Sequence, residues 1–210
     1  MPDDKTDLLR DVANYYSDKL AKHGETPRGV DWNSEESQLI RFEQLCKIIT
    51  STGAFSLHDV GCGYGALYDF LAKRHQAFSY LGLDISQDMI RACERRYSSD
   101  SRPRFIRAFQ PNSVADYGIA SGLFNVRLDR SDIEWLDYIE ATLNVLDQTS
   151  RKGFGFNCLT SYADKDRMQD YLFYANPCLI FDLCKRRYSR QVALLHDYGL
   201  YEFTILVRKV

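Results

Sequence analysis

The stretch Leu57-His58-Asp59-Val60-Gly61-Cys62-Gly63-Tyr64-Gly65 limits what this chain can become more than any other segment. Leu57 to Val60 reads as a buried strand that stops at glycines on alternate positions. Leu67, Phe70 and Leu71 then recur at helical spacing. Between a strand and a helix, such glycines let the backbone turn sharply. They also let a ligand lie against bare peptide, with the N–H groups of the helix start facing it. Asp59 stands two residues before the first glycine, at the carboxyl end of its strand, which is the edge where open α/β sheets bind ligands. Asp84 ends the next strand, Tyr80 to Leu83, and is placed to accept hydrogen bonds from both hydroxyls of a ribose.

The rest of the chain continues the alternation. Ser86 caps a helix carrying Met89, Ile90 and Cys93, and Arg104 to Ala108 and Asp116 to Ala120 read as short strands. Ser131 and Glu134 form a capping box before Trp135, Tyr138, Ile139 and Leu146, and Phe154 to Asn157 is a further strand. Asn176 followed by Pro177 opens another helix. Val192 to Leu195 and Tyr201 to Val207 are separated by only His196-Asp197-Tyr198-Gly199-Leu200, a link that can join only antiparallel neighbours. The pattern is a parallel α/β sheet finished by one reversed strand. Ahead of it, Leu8, Val12, Tyr16 and Leu20 mark an amphipathic helix. Asn33 or Ser34 caps a second, with Leu39, Phe42, Leu45 and Ile49 as its buried face.

Composition excludes several functions. Among 210 residues, 27 Lys plus Arg face 29 Asp plus Glu, a formal net charge of −2, which argues against a chain built mainly to grip phosphate backbone. The dense basic cluster, Lys185, Arg186, Arg187 and Arg190, closes a helix, where cations suit the dipole, and RNA contact is its other reading. No stretch approaches the eighteen or so apolar residues of a membrane span, and residues 1–20 carry no signal-peptide core, so no membrane partner is expected. Six cysteines without a CxxC pair point to reduced thiols and a cytoplasmic location. His23, His58 and His75 show no metal spacing, so no metal is expected, and His58 reads as a core residue.

The acid followed by GxGxG, with a second acid ending the next strand, resembles the class I S-adenosylmethionine-dependent methyltransferases. That resemblance implies a Rossmann-like, doubly wound, mostly parallel seven-stranded sheet with a reversed last strand over residues 53–210, and a helical cap over residues 1–52. S-adenosyl-L-methionine is the implied cofactor, and a small molecule the implied methyl acceptor. Asp59, Gly61, Cys62, Gly63 and Gly65 match the first motif, Asp84 and Ile85 the ribose motif, and Met89 the adenine-side turn. Asp116 to Asn125, with Ser121, matches the segment after the fourth strand. Phe109 and Gln110 are the expected adenine contacts, while Arg28 and Trp32 could close over the methionine carboxylate and the sulfonium. His196 and Tyr198 are candidate proton acceptors, Asn125 a candidate for orienting the acceptor, and Tyr162, Tyr171, Phe173 and Tyr174 could line its pocket.

The chain departs from the family in one place. Roughly seven residues, Phe109 to Ala115, join the third and fourth strands, where the family has a helix. A seven-residue link reaches about 24 Å, and crossing three strand spacings of about 4.8 Å while returning along a strand uses nearly all of it. No helix is expected there. Two other functions remain open on sequence alone, an RNA or protein methyltransferase and a binding module without catalysis. Gly61 to Ala66 also fits the looser dinucleotide fingerprint of an NAD-linked oxidoreductase, but the acid two residues before the glycines and the reversed last strand speak against it.

Overall fold

Strands β1 (Phe55–Val60), β2 (Phe78–Asp84), β3 (Pro103–Arg107), β4 (Ala115–Ala120) and β5 (Ser150–Thr160) run parallel, in a computed structural model that describes residues 2–209. Strand β6 (Tyr174–Ala175) adds two residues to the end of β5, and β7 (Gln191–Leu195) and β8 (Glu202–Arg208) complete the sheet. The spatial order is β3-β2-β1-β4-β5-β8-β7. Only β8 is reversed, pairing antiparallel with both β5 and β7. The continuous path thus has the expected seven strands, and β6 lies off it.

Among the described residues six α-helices flank the sheet: α1 (Pro2–His23), α2 (Glu35–Cys46), α3 (Ala66–Ala72), α4 (Gln87–Arg96), α5 (Asp132–Thr149) and α6 (Pro177–Arg187). Alternation along the strands separates two cores. Phe154, Phe156, Phe203, Ile205 and Val207 pack with Trp135, Ile139 and Leu143 of α5 and Ile180 of α6. On the other face, Leu57, Tyr117, Ile119 and Leu206 pack with Phe42 and Leu45 of α2 and Leu67 and Leu71 of α3. The sequence-derived caps form: Ser34 caps α2, Ser86 caps α4, Ser131 and Glu134 make the reciprocal capping box at α5, and Asn176 Oδ1 accepts the N–H groups of Cys178 and Leu179 at α6.

Residues 108–114 between β3 and β4 hold no helix, in line with the near-taut link. On the α5 face, Leu81, Ile106 and Ala108 are consequently only partly buried, and Leu8 and Val12 of α1 join that same core. His58 is buried but only half satisfied. Its Nε2 meets Ser113 Oγ at 3.3 Å, Nδ1 has no partner among the described residues, and burial holds its pKa below the usual histidine value.

Helix α2 differs from its sequence pattern. Leu39 is 40% exposed, whereas Gln38 and Arg41 share the buried face with Phe42 and Leu45. Positions 38, 41, 42 and 45 are one helical stripe, and two of its four members are polar. Reading apolar positions alone therefore rotates the helix away from its real phase.

Candidate functional site

The carboxyl ends of β1, β2 and β4 open into a cleft roofed by α1. Leu9, Val12 and Tyr16 of the helix face Gly61, Gly63, Asp84 and Ile85 across it. The roof is tied down at several points. Ser17 Oγ meets Ser86 Oγ at 2.9 Å, Asp11 pairs with Arg130 at 2.7 Å, and Asp31 receives Tyr15 Oη at 2.7 Å and Lys19 Nζ at 2.5 Å. The cleft is a narrow slot of about 120 Å³.

Most of the residues expected at a cofactor line this slot: Gly61, Gly63, Asp84, Ile85, Met89, Phe109, Gln110, Ser121 and Trp32. Gly61 has φ +78°, and a Cβ there would lie 2.8 Å from Leu123 Cδ1, so only glycine permits the turn. Asp59 and Cys62 sit one layer deeper, around a smaller pocket they share with Gly61, Gly63 and Ser121. Gly65 is covered by Tyr97, whose hydroxyl donates to its carbonyl at 2.8 Å. Arg28 is exposed and outside the cleft, because the turn Pro27–Val30 points Val30 inward instead.

Four amides of the glycine loop are bonded within the protein. Gly61 and Cys62 both donate to the Leu83 carbonyl, Gly65 to the Cys62 carbonyl, and Gly63 to Asp84 Oδ2 at 2.9 Å. With these donors committed to protein acceptors, the loop is not an anion nest of the kind that cradles a pyrophosphate. A dinucleotide loses its principal anchor here.

What the slot offers is the Asp84 carboxylate and the Ser121 hydroxyl. Asp84 Oδ1 accepts Ser86 N–H at 2.8 Å, and burial pushes the carboxyl up to about 6 against the amide bonds from Ser86, Gly63 and Ile85 that favour its ionised form. Asp59 is pushed up to about 7, chiefly by burial; the nearby negative charge of Asp84 adds to this, and the Tyr80 hydroxyl, donating at 2.5 Å, works against it. Ser121 Oγ is buried without a partner among the described residues. An unpaired buried hydroxyl, a carboxylate with unused lone pairs and a bare-peptide wall could hold an adenosyl group.

A second chamber of about 700 Å³ adjoins the slot, and Tyr16, Val30, Trp32 and Gly122 line both. Gly122 has φ +72°, and a Cβ there would lie 2.6 Å from Trp32 Cζ2, so the partition depends on this glycine. Asn125 lines the chamber, as do Tyr171 and Tyr174. Phe173 instead belongs to the core, and Tyr162 is 67% exposed. His196 and Tyr198 line neither cavity. His196 is exposed with its ring against Tyr162 and Phe203, and Tyr198 Oη lies 3.1 Å from Thr204 Oγ1.

Two buried residues of this region, Arg41 and Glu202, went unread in the sequence, and Glu202 bonds to Asn157, which the sequence offers beside Asn125 as a residue that could orient an acceptor. Arg41 Nε and Nη2 donate to Glu202 Oε2 and Oε1 at 2.8 and 2.7 Å, and Asn157 Nδ2 also donates to Glu202. Asn157 Oδ1 accepts the Gly122 N–H at 2.8 Å, so the chain of bonds ends at the partition. The Arg41 guanidinium lies 3.8 Å from the Trp32 ring centroid, which leaves that face of the indole covered.

Comparison with known proteins places these features. A family profile described as a methyltransferase domain matches residues 58–153. Rv1506c of Mycobacterium tuberculosis (strain ATCC 25618 / H37Rv), provisionally named a methyltransferase, is 56% identical over 163 residues, 78% of this chain and 98% of that protein. Among solved structures, DhpI in complex with SAH (S-adenosylhomocysteine) aligns over 96% of both chains with TM-score 0.66 and 13% identity. Magnesium protoporphyrin IX methyltransferase from Synechocystis PCC 6803 with bound SAH aligns over 98% of this chain and 100% of that one, with TM-score 0.65 and 14% identity.

Proposed function

This chain belongs to the S-adenosylmethionine-dependent methyltransferase family, and from that premise we propose that it methylates a small molecule held in the chamber beside the slot. The observation that carries the proposal is the shared wall. Tyr16, Val30, Trp32 and Gly122 border both cavities, so a cofactor in one and an acceptor in the other would meet at a common boundary. The chamber also has the size of a small-molecule site. Bound S-adenosylmethionine supplies an activated methyl group for in-line displacement. The protein's part is then proximity and alignment, worth about 7–11 kcal/mol in favourable cases. Asp84 and Ser121 hold the donor, α1 keeps water out, and Asn125, Tyr171 and Tyr174 border the acceptor.

An RNA acceptor is disfavoured by the basic cluster's position. Strand β7 runs parallel to β5, so the end of α6 and the residues leading into Gln191 lie at the amino edge of the sheet, opposite the slot. Two of its four cations are also ion-paired locally, Arg186 with Asp182 at 2.7 Å and Arg187 with Glu140. No helix among the described residues is long and apolar enough to cross a membrane. The six free cysteines suit a reducing compartment such as the cytoplasm.

Ligand-dependent melting tests the cofactor half. SAH or S-adenosylmethionine at 100 times its dissociation constant should stabilise the protein by about 2.7 kcal/mol, with NAD giving no shift. A shift with NAD alone would overturn the reading. Turnover of a small acceptor with release of SAH, insensitive to salt between 50 and 300 mM, tests the acceptor half.

Affinity should also depend on pH in a defined direction. Asp84 offers two charged acceptor oxygens only while ionised, and its pKa is raised to about 6. Protonation removes the charge and turns one of the two acceptor oxygens into a hydroxyl, so the Kd for SAH should rise by up to about tenfold between pH 7 and pH 5. In Asp84→Asn the step around pH 6 should vanish. A wild-type Kd flat across that range, measured by calorimetry, would remove Asp84 from the ribose contact.

A further inference from the structure

We infer that Arg41 selects the methyl acceptor, and that the acceptor carries a carboxylate on an apolar body. The inference rests on the methyltransferase reading and adds the chemistry of the acceptor to it. Arg41 borders the chamber and is 7% exposed, and two of its nitrogens are used by Glu202. The remaining nitrogen, Nη1, is buried with no hydrogen-bond partner among the described residues. A buried charged donor left unpaired is costly, and an oxygen from a bound molecule removes that cost.

The surroundings narrow the class. Val126, Leu159, Leu172 and the rings of Tyr171 and Tyr174 give an otherwise polar chamber one apolar stretch, which suits a hydrocarbon or aromatic body. Glu202 already balances the charge of Arg41. The other cation, Arg167, lies at the exposed rim 3.9 Å from Asp166, and Asp31 is held by Lys19. With one guanidinium nitrogen, Nη1, left unpaired and no surplus positive charge, the site matches a monoanionic carboxylate better than a phosphate dianion. Nη1 is sealed from solvent with Trp32 lying over the guanidinium, so engaging an oxygen requires the Trp32 wall to yield slightly. Trp32 also borders the cofactor slot, so acceptor recognition would be felt there.

The test uses the full chain saturated with SAH and calorimetric titration of benzoate, phenylacetate and 3-phenylpropanoate against their primary amides. At least one carboxylate should bind ten times more tightly than its amide. In the Arg41→Met/Glu202→Gln double variant, which keeps an acceptor for Asn157, that preference should disappear. Should the double variant fail to fold, wild-type protein labelled with 15N-arginine provides the second readout: the same carboxylate must shift a solvent-protected guanidinium resonance. Equal binding of acid and amide, a preference that survives in the double variant, or unmoved guanidinium resonances would each overturn the inference while leaving the cofactor reading intact. Failure of SAH itself to bind would overturn the cofactor reading and this inference with it.

Discussion

Asp84→Ala is expected to raise the Kd for SAH and for S-adenosylmethionine by about 100-fold or more. The carboxylate would accept two ribose hydroxyls, and hydrogen bonds to a charged group are worth about 1.5–3 kcal/mol each. It also holds the glycine loop from below, because Oδ2 accepts the Gly63 N–H at 2.9 Å while Oδ1 accepts that of Ser86 at 2.8 Å. Alanine therefore removes the ligand contact and leaves the Gly63 amide without its acceptor, so the wall of the slot loosens as well. Asp84→Asn keeps one carbonyl oxygen and should cost closer to tenfold. Calorimetry with SAH on both variants checks the ranking. An alanine variant that binds like wild type would show that the ribose lies elsewhere.

The parts of this site that sequence made legible are those that depend on local backbone geometry. Gly61 and Gly63 are required by a turn with positive φ, and Asp84, Ile85 and Met89 follow from a strand end and a helix start. The missing helix between β3 and β4 followed from link length, and the reversed β8 from a hairpin too short for a crossover. Features that depend on distant pairing were not legible. His196 stands at the correct edge of the sheet, but β7 is three strands from β4, about 14 Å at about 4.8 Å per spacing. Arg28 and Val30 are two residues apart in one tight turn, and the sequence does not tell which of them faces the slot. Arg41 was hidden because a charged residue at a core position looks like an exposed one until its partner is known, and that partner is 161 residues away.

That partnership leads to the second large effect. Removing either member of the Arg41–Glu202 pair should destabilise the fold by about 3–5 kcal/mol, since each single change leaves an uncompensated charge buried beneath α2. The side chains are 9% and 2% exposed and meet through two parallel hydrogen bonds, so solvent screens them little. Glu202→Met should be at least as costly as Arg41→Met, because it also deprives Asn157 of its acceptor, and Asn157 holds the Gly122 N–H of the partition. The Arg41→Met/Glu202→Gln double variant buries no net charge and keeps the Asn157 contact. It should recover most of the loss, giving a coupling of about 2 kcal/mol or more in a urea-unfolding double-mutant cycle. Additive losses, or single variants costing less than about 1 kcal/mol, would mean that water reaches the pair and screens it. A large coupling would mean that the ion pair clamps helix α2 to strand β8 and holds the partition between slot and chamber through Asn157.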